Sequence, residues 1–294
     1  MVQWHAQDVW PAHCRALEAI KTWPGSEEPF HTGFALAHYP AGSVANPGIS
    51  LFEYLGAHPG PHGRFAATMR AFLRRQGVEM KYTVEGWRDG WRGLLPAGEA
   101  GVVVDVGGSH GQLAIQLARS FSENEIREVV VQDVDAPVVL AAEGNKPEDV
   151  KGRVRYVVHD CLTEQPVKGA DIYVFRAVLH NWSDKYCVEM LRALVPALKL
   201  GAHVVVNDAA YPDAPEVGGK GEENAGVGVW RDPVVSTSMD LTLWTLSNGG
   251  HRDLDEWERL FAKAGPGFRY KGAERGRASD LWNMVLEWVG EEVN

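Results

Sequence analysis

Cysteine is scarce in this chain. Only Cys14, Cys161 and Cys187 occur in 294 residues, widely spaced and without a C-x-x-C pair. That excludes a disulfide framework and gives no zinc or other metal site, and it fits a reducing compartment. Long hydrophobic runs are also missing. No segment reaches the ~20 apolar residues that a membrane-spanning helix needs. The first residues, M-V-Q-W-H-A-Q-D, have neither the basic nor the apolar region of a signal peptide. The expected location is cytoplasmic, with no membrane partner. Positive charge is in deficit, with 29 Lys and Arg against 39 Asp and Glu and a net charge of -10. A nucleic-acid backbone would be repelled, so no nucleic-acid partner is expected.

Two common glycine fingerprints are absent as well. There is no Gly-Lys-Ser/Thr of a phosphate loop. The nucleotide pattern G-x-G-x-x-G fails from Gly107, because its third position is Ser109 and its sixth is Gln112. What stands there instead is V-V-V-D-V-G-G-S-H-G, residues 102–111. The valines read as a buried strand, the glycines as a tight turn, and 112–120 as a helix. That geometry lets a ligand approach backbone N–H groups at a helix start.

The rest of the chain falls into two patterns. Residues 1–95 are tryptophan-rich and mostly helical, with helices expected over 12–23, 49–55 and 63–77 and a loop over 30–50. In the 63–77 helix, Phe65, Met69, Phe72 and Leu73 form one apolar stripe. From residue 96 the rhythm becomes alternating strand and helix. Strands are expected at 102–106, 129–133, 154–159, 171–175 and 203–208, and helices at 111–120, 136–144 and 183–198. This alternation implies right-handed βαβ units, a parallel sheet and an α/β fold. A further helix, capped by Asp253, is expected over 253–264. Two strand-like runs, 268–271 and 281–288, suit a closing hairpin on a sheet edge. Residues 216–229, rich in glycine and charge, read as a mobile loop.

Open parallel sheets bind ligands beyond the carboxyl ends of their strands. Asp133 ends the second strand, Asp160 the third and Arg176 the fourth. One aspartate at a strand end is ordinarily a cap or turn residue. Several in succession after a glycine turn favour a binding site. His180 follows the fourth strand in R-A-V-L-H-N-W-S-D-K-Y-C, ahead of an expected Ser183 cap.

Taken together, D-V-G-G-S-H-G (105–111), V-Q-D (131–133), H-D (159–160), L-H-N-W-S-D-K-Y-C (179–187), V-V-V-N-D (204–208) and N-G-G-H-R-D-L-D-E-W (248–257) resemble the S-adenosylmethionine-dependent O-methyltransferases of the plant and fungal small-molecule (caffeate and flavonoid) class. The motifs follow family order over about residues 30–290. The resemblance implies a Rossmann-like seven-stranded methyltransferase sheet over 96–294, preceded by a helical segment over 1–95. It implies S-adenosyl-L-methionine as cofactor and a small-molecule hydroxyl, aromatic or polyketide-like, as acceptor. Asp105, Gly107, Gly108 and Gly111 would line the methionine end. Asp133 would hold the ribose and Asp160 the adenine side, and Arg176 stands at a cofactor-contacting basic position. His180 falls on the general base and Asp208 on the carboxylate that orients it. Phe65 and Met69 fall on a helix of the substrate pocket.

The chain departs from the family pattern twice. Where the family reads G-K-E-R-T, this chain reads G-G-H-R-D, placing His251 at the position of a second catalytic carboxylate. Family members also carry a longer N-terminal part with a winged helix and a dimer interface, and this chain has room for only its last helices, which leaves the homodimer open. Two alternatives stay beside methyl transfer: a non-methylating enzyme of pericyclase or dehydratase type on the same scaffold, and a non-catalytic cofactor-binding member.

Overall fold

The computed structural model describes residues 2–38, 48–210 and 233–290. They form two compact units. The first holds 2–38, 48–76, 179–185 and 233–252, and the second holds 77–178, 186–210 and 253–290. Residues 77–95, grouped by sequence pattern with the N-terminal helices, therefore pack in the sheet unit. No helix among the described residues is long and apolar enough to cross a membrane.

The second unit is an α/β sheet unit. Its seven strands are β1 (Gly101–Val106), β2 (Ile126–Asp133), β3 (Val154–Val158), β4 (Ile172–Arg176), β5 (His203–Asp208), β6 (Phe268–Arg275) and β7 (Trp282–Trp288). Their order is β3-β2-β1-β4-β5-β7-β6. The first five run parallel; β7 joins β5 antiparallel and β6 pairs with it as the edge hairpin. β1 is buried along its whole length and β4 likewise, which is why both read as unbroken apolar runs rather than alternating ones. β6 is longer than its apolar start suggests, because the ladder shifts register between Tyr270 and Gly272 and then resumes. One face of the sheet packs Leu113, Leu117 and Phe121 against Val129, Val131 and Ile172, with Trp87 and Trp91 in the same core.

Helix ends in this unit follow local chemistry. Gln112–Ser120 starts after Gly111, whose φ of 71° is left-handed. Asp184–Leu194 stops short of residue 198: Pro196 lacks the N–H an α-helix would use, and Val195–Ala197 finishes as a 3-10 turn. Leu254–Ala264 begins at Asp253, which accepts from the Glu256 N–H while Glu256 reaches back to the Asp253 N–H.

The first unit is helical. Trp4, Val9, Ala12, Phe34, Leu51, Leu55 and Leu246 form its core. The helix expected over 12–23 is broken at Arg15 into Trp10–Cys14 and Ala16–Thr22. A Cβ on Gly33 would come within 2.5 Å of the Ala12 carbonyl oxygen, so a second backbone presses on the first at the break. Gly33 opens a helix, Gly33–His38, where a loop was expected; Thr32 caps it by accepting from the Ala35 N–H at 3.1 Å. Residues 39–47 of the loop expected over 30–50 lie outside the described residues, as does the expected loop over 216–229. Leu51–Ala57 is held by a capping box between Ser50 and Glu53. The stripe helix is Pro59–Phe72, with proline in its first turn. Pro233–Ser247 was not read as a helix at all: its two valines and three threonines carry strand propensity, and tertiary packing overrides it.

Replacing Asp253 by Ala removes one half of a reciprocal cap on an exposed helix start. The expected loss is about 1 kcal/mol of unfolding free energy, read by urea denaturation, with cofactor affinity unchanged.

Candidate active site

Register sets the first cluster. Across the sheet unit, Val106 pairs with Gln132 and Phe175, Asp133 with Val158, and Arg176 with Asn207. The residues that follow this row all emerge at one carboxyl edge: the glycine turn, Asp133, Asp160, Arg176 and Asp208.

The glycine turn is shaped by contact. Gly107 has φ 74°, and a Cβ there would meet Val178 at 2.7 Å. A Cβ on Gly108 would strike the Asp105 carboxylate at 2.5 Å. A Cβ on Gly111 would overlap the Tyr156 hydroxyl, which itself donates to the His110 carbonyl at 2.9 Å. Ser109, also left-handed at φ 50°, donates its N–H to Asp133 Oδ2 at 3.0 Å. The Asp135 N–H donates to Asp133 Oδ1 at 3.0 Å. Asp133 is thus latched to the turn, half-buried, and its two oxygens retain acceptor capacity. Burial raises its pKa, opposed by those N–H bonds. Asp160 is exposed, with Oδ1 accepting from the Leu162 N–H at 3.0 Å.

Two predicted residues sit deeper than a ligand contact. Asp105 is 2% exposed, and its Oδ2 has no hydrogen-bond partner among the described residues. Burial pushes its carboxyl up to about 7; Arg176 opposes the shift and Asp133 adds to it. Arg176 is turned inward, donating from Nη2 to the Val78 carbonyl at 2.5 Å and from Nε to Thr83 Oγ1 at 3.4 Å. Burial pulls it down to about 10, against the pull of Asp105 and Asp208. Asp208 is fully buried and accepts from the Ala209 N–H at 2.8 Å.

The second cluster lies in the helical unit. His180 occupies a 3-10 turn, Leu179–Asn181. Its ring is 6.0 Å from the His251 ring, edge to face. The His251 N–H donates to Asp240 Oδ1 at 2.8 Å, and Asp240 comes from the helix that sequence pattern missed. Trp182 stacks on Phe52 at 5.6 Å, and Phe52 meets Phe65 edge-on at 6.5 Å. Phe65 also packs edge-on against Trp4 at 5.3 Å, while Met69 is half-buried. Ser183 donates its hydroxyl to the Glu27 carbonyl at 2.9 Å, and the Glu27 carboxylate accepts from the Lys185 N–H at 3.1 Å. Glu27 thus helps start the following helix, a role with no local signal in the sequence.

Left-handed backbone marks these segments. Four non-glycine residues among those described have positive φ, and three of them, Ser109, Ala177 and Asn248, lie within three residues of Gly108, Arg176 and His251 respectively. Such conformations cost about 1–3 kcal/mol each and gather where surrounding structure must hold a site.

Comparison with known proteins gives this geometry a family. Residues 48–269 match the model of the O-methyltransferase domain. The chain belongs to that family. It is 35% identical over 261 residues to the grayanic acid biosynthesis cluster O-methyltransferase of Cladonia grayi, covering 86% of this chain and 52% of the relative. It is 33% identical over 293 residues to the chlorophenol O-methyltransferase of Trichoderma longibrachiatum, covering 99% and 57%. The chain therefore spans little more than half the length of these relatives. Among solved structures, one described as a pericyclic reaction enzyme superposes with TM-score 0.69 at 21% identity, covering 97% of this chain and 65% of the other. NcsB1, an O-methyltransferase from neocarzinostatin biosynthesis bound to S-adenosyl-L-homocysteine and 1,4-dihydroxy-2-naphthoic acid, superposes with TM-score 0.67 at 26% identity, covering 96% and 70%. The seven-stranded α/β methyltransferase fold expected from sequence is the fold found.

The buried Asp105 carboxyl generates a prediction about pH. Its folded pKa lies above its unfolded value, so the folded state binds the proton more tightly. Ionising it therefore weakens folding as pH rises from about 4 to about 7. Asp105→Asn removes this dependence. The melting-temperature advantage of the variant over wild type should be largest near pH 8 and shrink toward pH 5 in thermal melts.

Proposed function

We propose that this family member is an S-adenosylmethionine-dependent O-methyltransferase that methylates a hydroxyl of an aromatic or polyketide-like small molecule. The observation that carries this reading is the latch between the glycine turn and Asp133, because it fixes an open acceptor pair beside backbone free of Cβ atoms. The donor set fits the cofactor. Gly107, Gly108 and Gly111, closed on Val178, Asp105 and Tyr156, shape the turn whose backbone would meet the amino-acid end, Asp133 offers acceptors to the ribose hydroxyls, and Asp160 stands on the adenine side. Asp105 and Arg176, both buried, hold the turn and the strand end in shape from beneath.

When bound, S-adenosylmethionine supplies a methyl group on a sulfonium, so the leaving sulfur needs no proton. The limiting partner is the acceptor, since a phenol has a pKa near 10 and is a weak nucleophile at neutral pH. His180 would take the proton of the acceptor hydroxyl, a role worth about 10²–10⁴-fold. Asp208 is the carboxylate assigned to favour the resulting imidazolium. His251 can orient or hydrogen-bond but adds no negative charge. Phe65 and Met69, with Phe52 and Trp182 beside them, supply an apolar wall for an aromatic acceptor. The presence of His251 in place of a carboxylate keeps a second reading in view, in which the scaffold rearranges its substrate without transferring methyl.

Methylation of a phenol panel, followed by S-adenosylhomocysteine release, tests both. Methyl transfer should be seen, and His180→Ala should lower it by about 10²–10⁴-fold with S-adenosylhomocysteine affinity by calorimetry within twofold of wild type. A variant turning over at the wild-type rate would refute the general base. Product formed without S-adenosylhomocysteine would favour the rearrangement. In the same titration, Asp133→Ala should weaken cofactor binding by at least tenfold, since two ribose hydroxyls lose a charged acceptor.

A further inference from the structure

The assignment of His180 as base leaves open what fixes its imidazole. The 3-10 turn that carries it has only three residues and follows Ala177, itself left-handed at φ 54°. Such a turn has little rigidity of its own. Its neighbours supply constraint, and one segment, 248–252, holds it at several points.

Three members of that segment grip the backbone around His180. Gly250 donates its N–H to the His180 carbonyl at 2.9 Å. Gly249 lies flat on the same peptide: a Cβ there would overlap the His180 carbonyl oxygen and come within 2.6 Å of the Asn181 carbonyl carbon. Arg252, 7% exposed, donates from Nη2 to the Trp182 carbonyl at 2.9 Å and from Nε to Asp184 Oδ1 at 2.9 Å. The carbonyls of residues 180 and 182 and the carboxylate of 184 are thus held by one short stretch of chain. That stretch is anchored in turn. Asn248 donates from Nδ2 to the Glu28 carbonyl at 2.7 Å, and the His251 N–H is taken by Asp240.

We propose that segment 248–252 is a backbone seat for His180, in which Gly249 and Arg252 are positioning residues for the base. Neither touches the reacting atoms. Gly249 is required because only a residue without Cβ can lie against two peptide carbonyl groups. Arg252 is required because its fork donates in two directions, to a carbonyl and to a carboxylate, while a lysine ammonium has no fixed fork. A displacement of about 1 Å at a catalytic group can cost about 10²-fold.

The proposal rests on His180 acting as base, and the test separates the two. Histidine Cε1–H resonances are recorded on selectively labelled protein, with His180 assigned by its loss in His180→Gln. Wild type is compared with Gly249→Ala, Arg252→Lys and Arg252→Ala. Turnover is measured on a chlorinated phenol with S-adenosylmethionine. In Arg252→Lys the His180 resonance should shift, while the histidines other than His180 and His251 keep theirs. Turnover number should fall about ten- to a hundredfold with KM for S-adenosylmethionine unchanged. Arg252→Ala should fall further, and Gly249→Ala should behave like it where it folds. An unchanged His180 resonance and an unchanged turnover number in folded Arg252→Lys would overturn the seat. If His180→Ala keeps full activity, the base assignment fails, and the resonance shift still decides whether the seat exists.

Discussion

The glycine turn is joined to the end of β2 by two hydrogen bonds, from the Gly108 N–H to the Gln132 carbonyl at 2.9 Å and from the Ser109 N–H to the Asp133 carboxylate at 3.0 Å. This join exists because β1 and β2 pair in parallel with Val106 level with Gln132. One step of slip would turn every side chain of a strand to the other face. The register is protected by burial on both faces of β1 and by the reciprocal bonds of two buried amides, Gln132 and Gln165, at 2.7 and 2.9 Å. A fully satisfied pair of this kind favours one alignment, because any other would leave amide groups unpaired.

Beneath that latch the sheet unit keeps charges where apolar residues would cost less. Asp105, Arg176 and Asp208 are all buried, and burial weakens the charge of both Asp105 and Arg176. Replacing such a group of charges by packed apolar side chains is often neutral or stabilising. Their retention therefore asks for a reason beyond stability, and the contacts supply one. Arg176 fastens the helix Met80–Val84 to the end of β4 through Val78 and Thr83. Asp105 fills the space under Gly108 that a Cβ would take. Together they fix the floor on which the turn and the strand ends stand.

Much of the sheet unit was legible from sequence because its signals are local. Five apolar-rich runs, a glycine turn and a capping aspartate each declare themselves within a few residues, and the strand-end aspartates follow from the strands. The direction of Arg176 was not legible: a basic residue at a strand end reads as a ligand contact, and only the packing of Val78 and Thr83 reveals that it points inward. The helical unit was harder. Its helices are short, and one of them, Pro233–Ser247, is rich in β-branched residues. Asp240 and Glu27 act on residues 11 and 158 positions away, and periodicity carries no information at that range. His251 and the neighbouring glycines were visible as a departure from a family motif, but what Gly249 touches was not.

The two clusters solve the same mechanical problem in the same way. A catalytic or binding group is precise only if the backbone behind it cannot drift, and a side-chain contact is a soft constraint beside a backbone contact. In the sheet unit, Gly111 lets the turn close down on the Tyr156 hydroxyl. In the helical unit, Gly249 lets one peptide lie on another at His180. Gly249 is followed three residues later by Arg252, which completes the hold by binding Trp182 and Asp184. Local strain is spent at the same places, at Ser109 and at Asn248, where the chain must turn sharply to bring those glycines into contact. A substitution at Gly249, where one backbone lies on another, should therefore be more damaging than the loss of most apolar side chains, because a cavity can relax whereas two backbones in contact cannot.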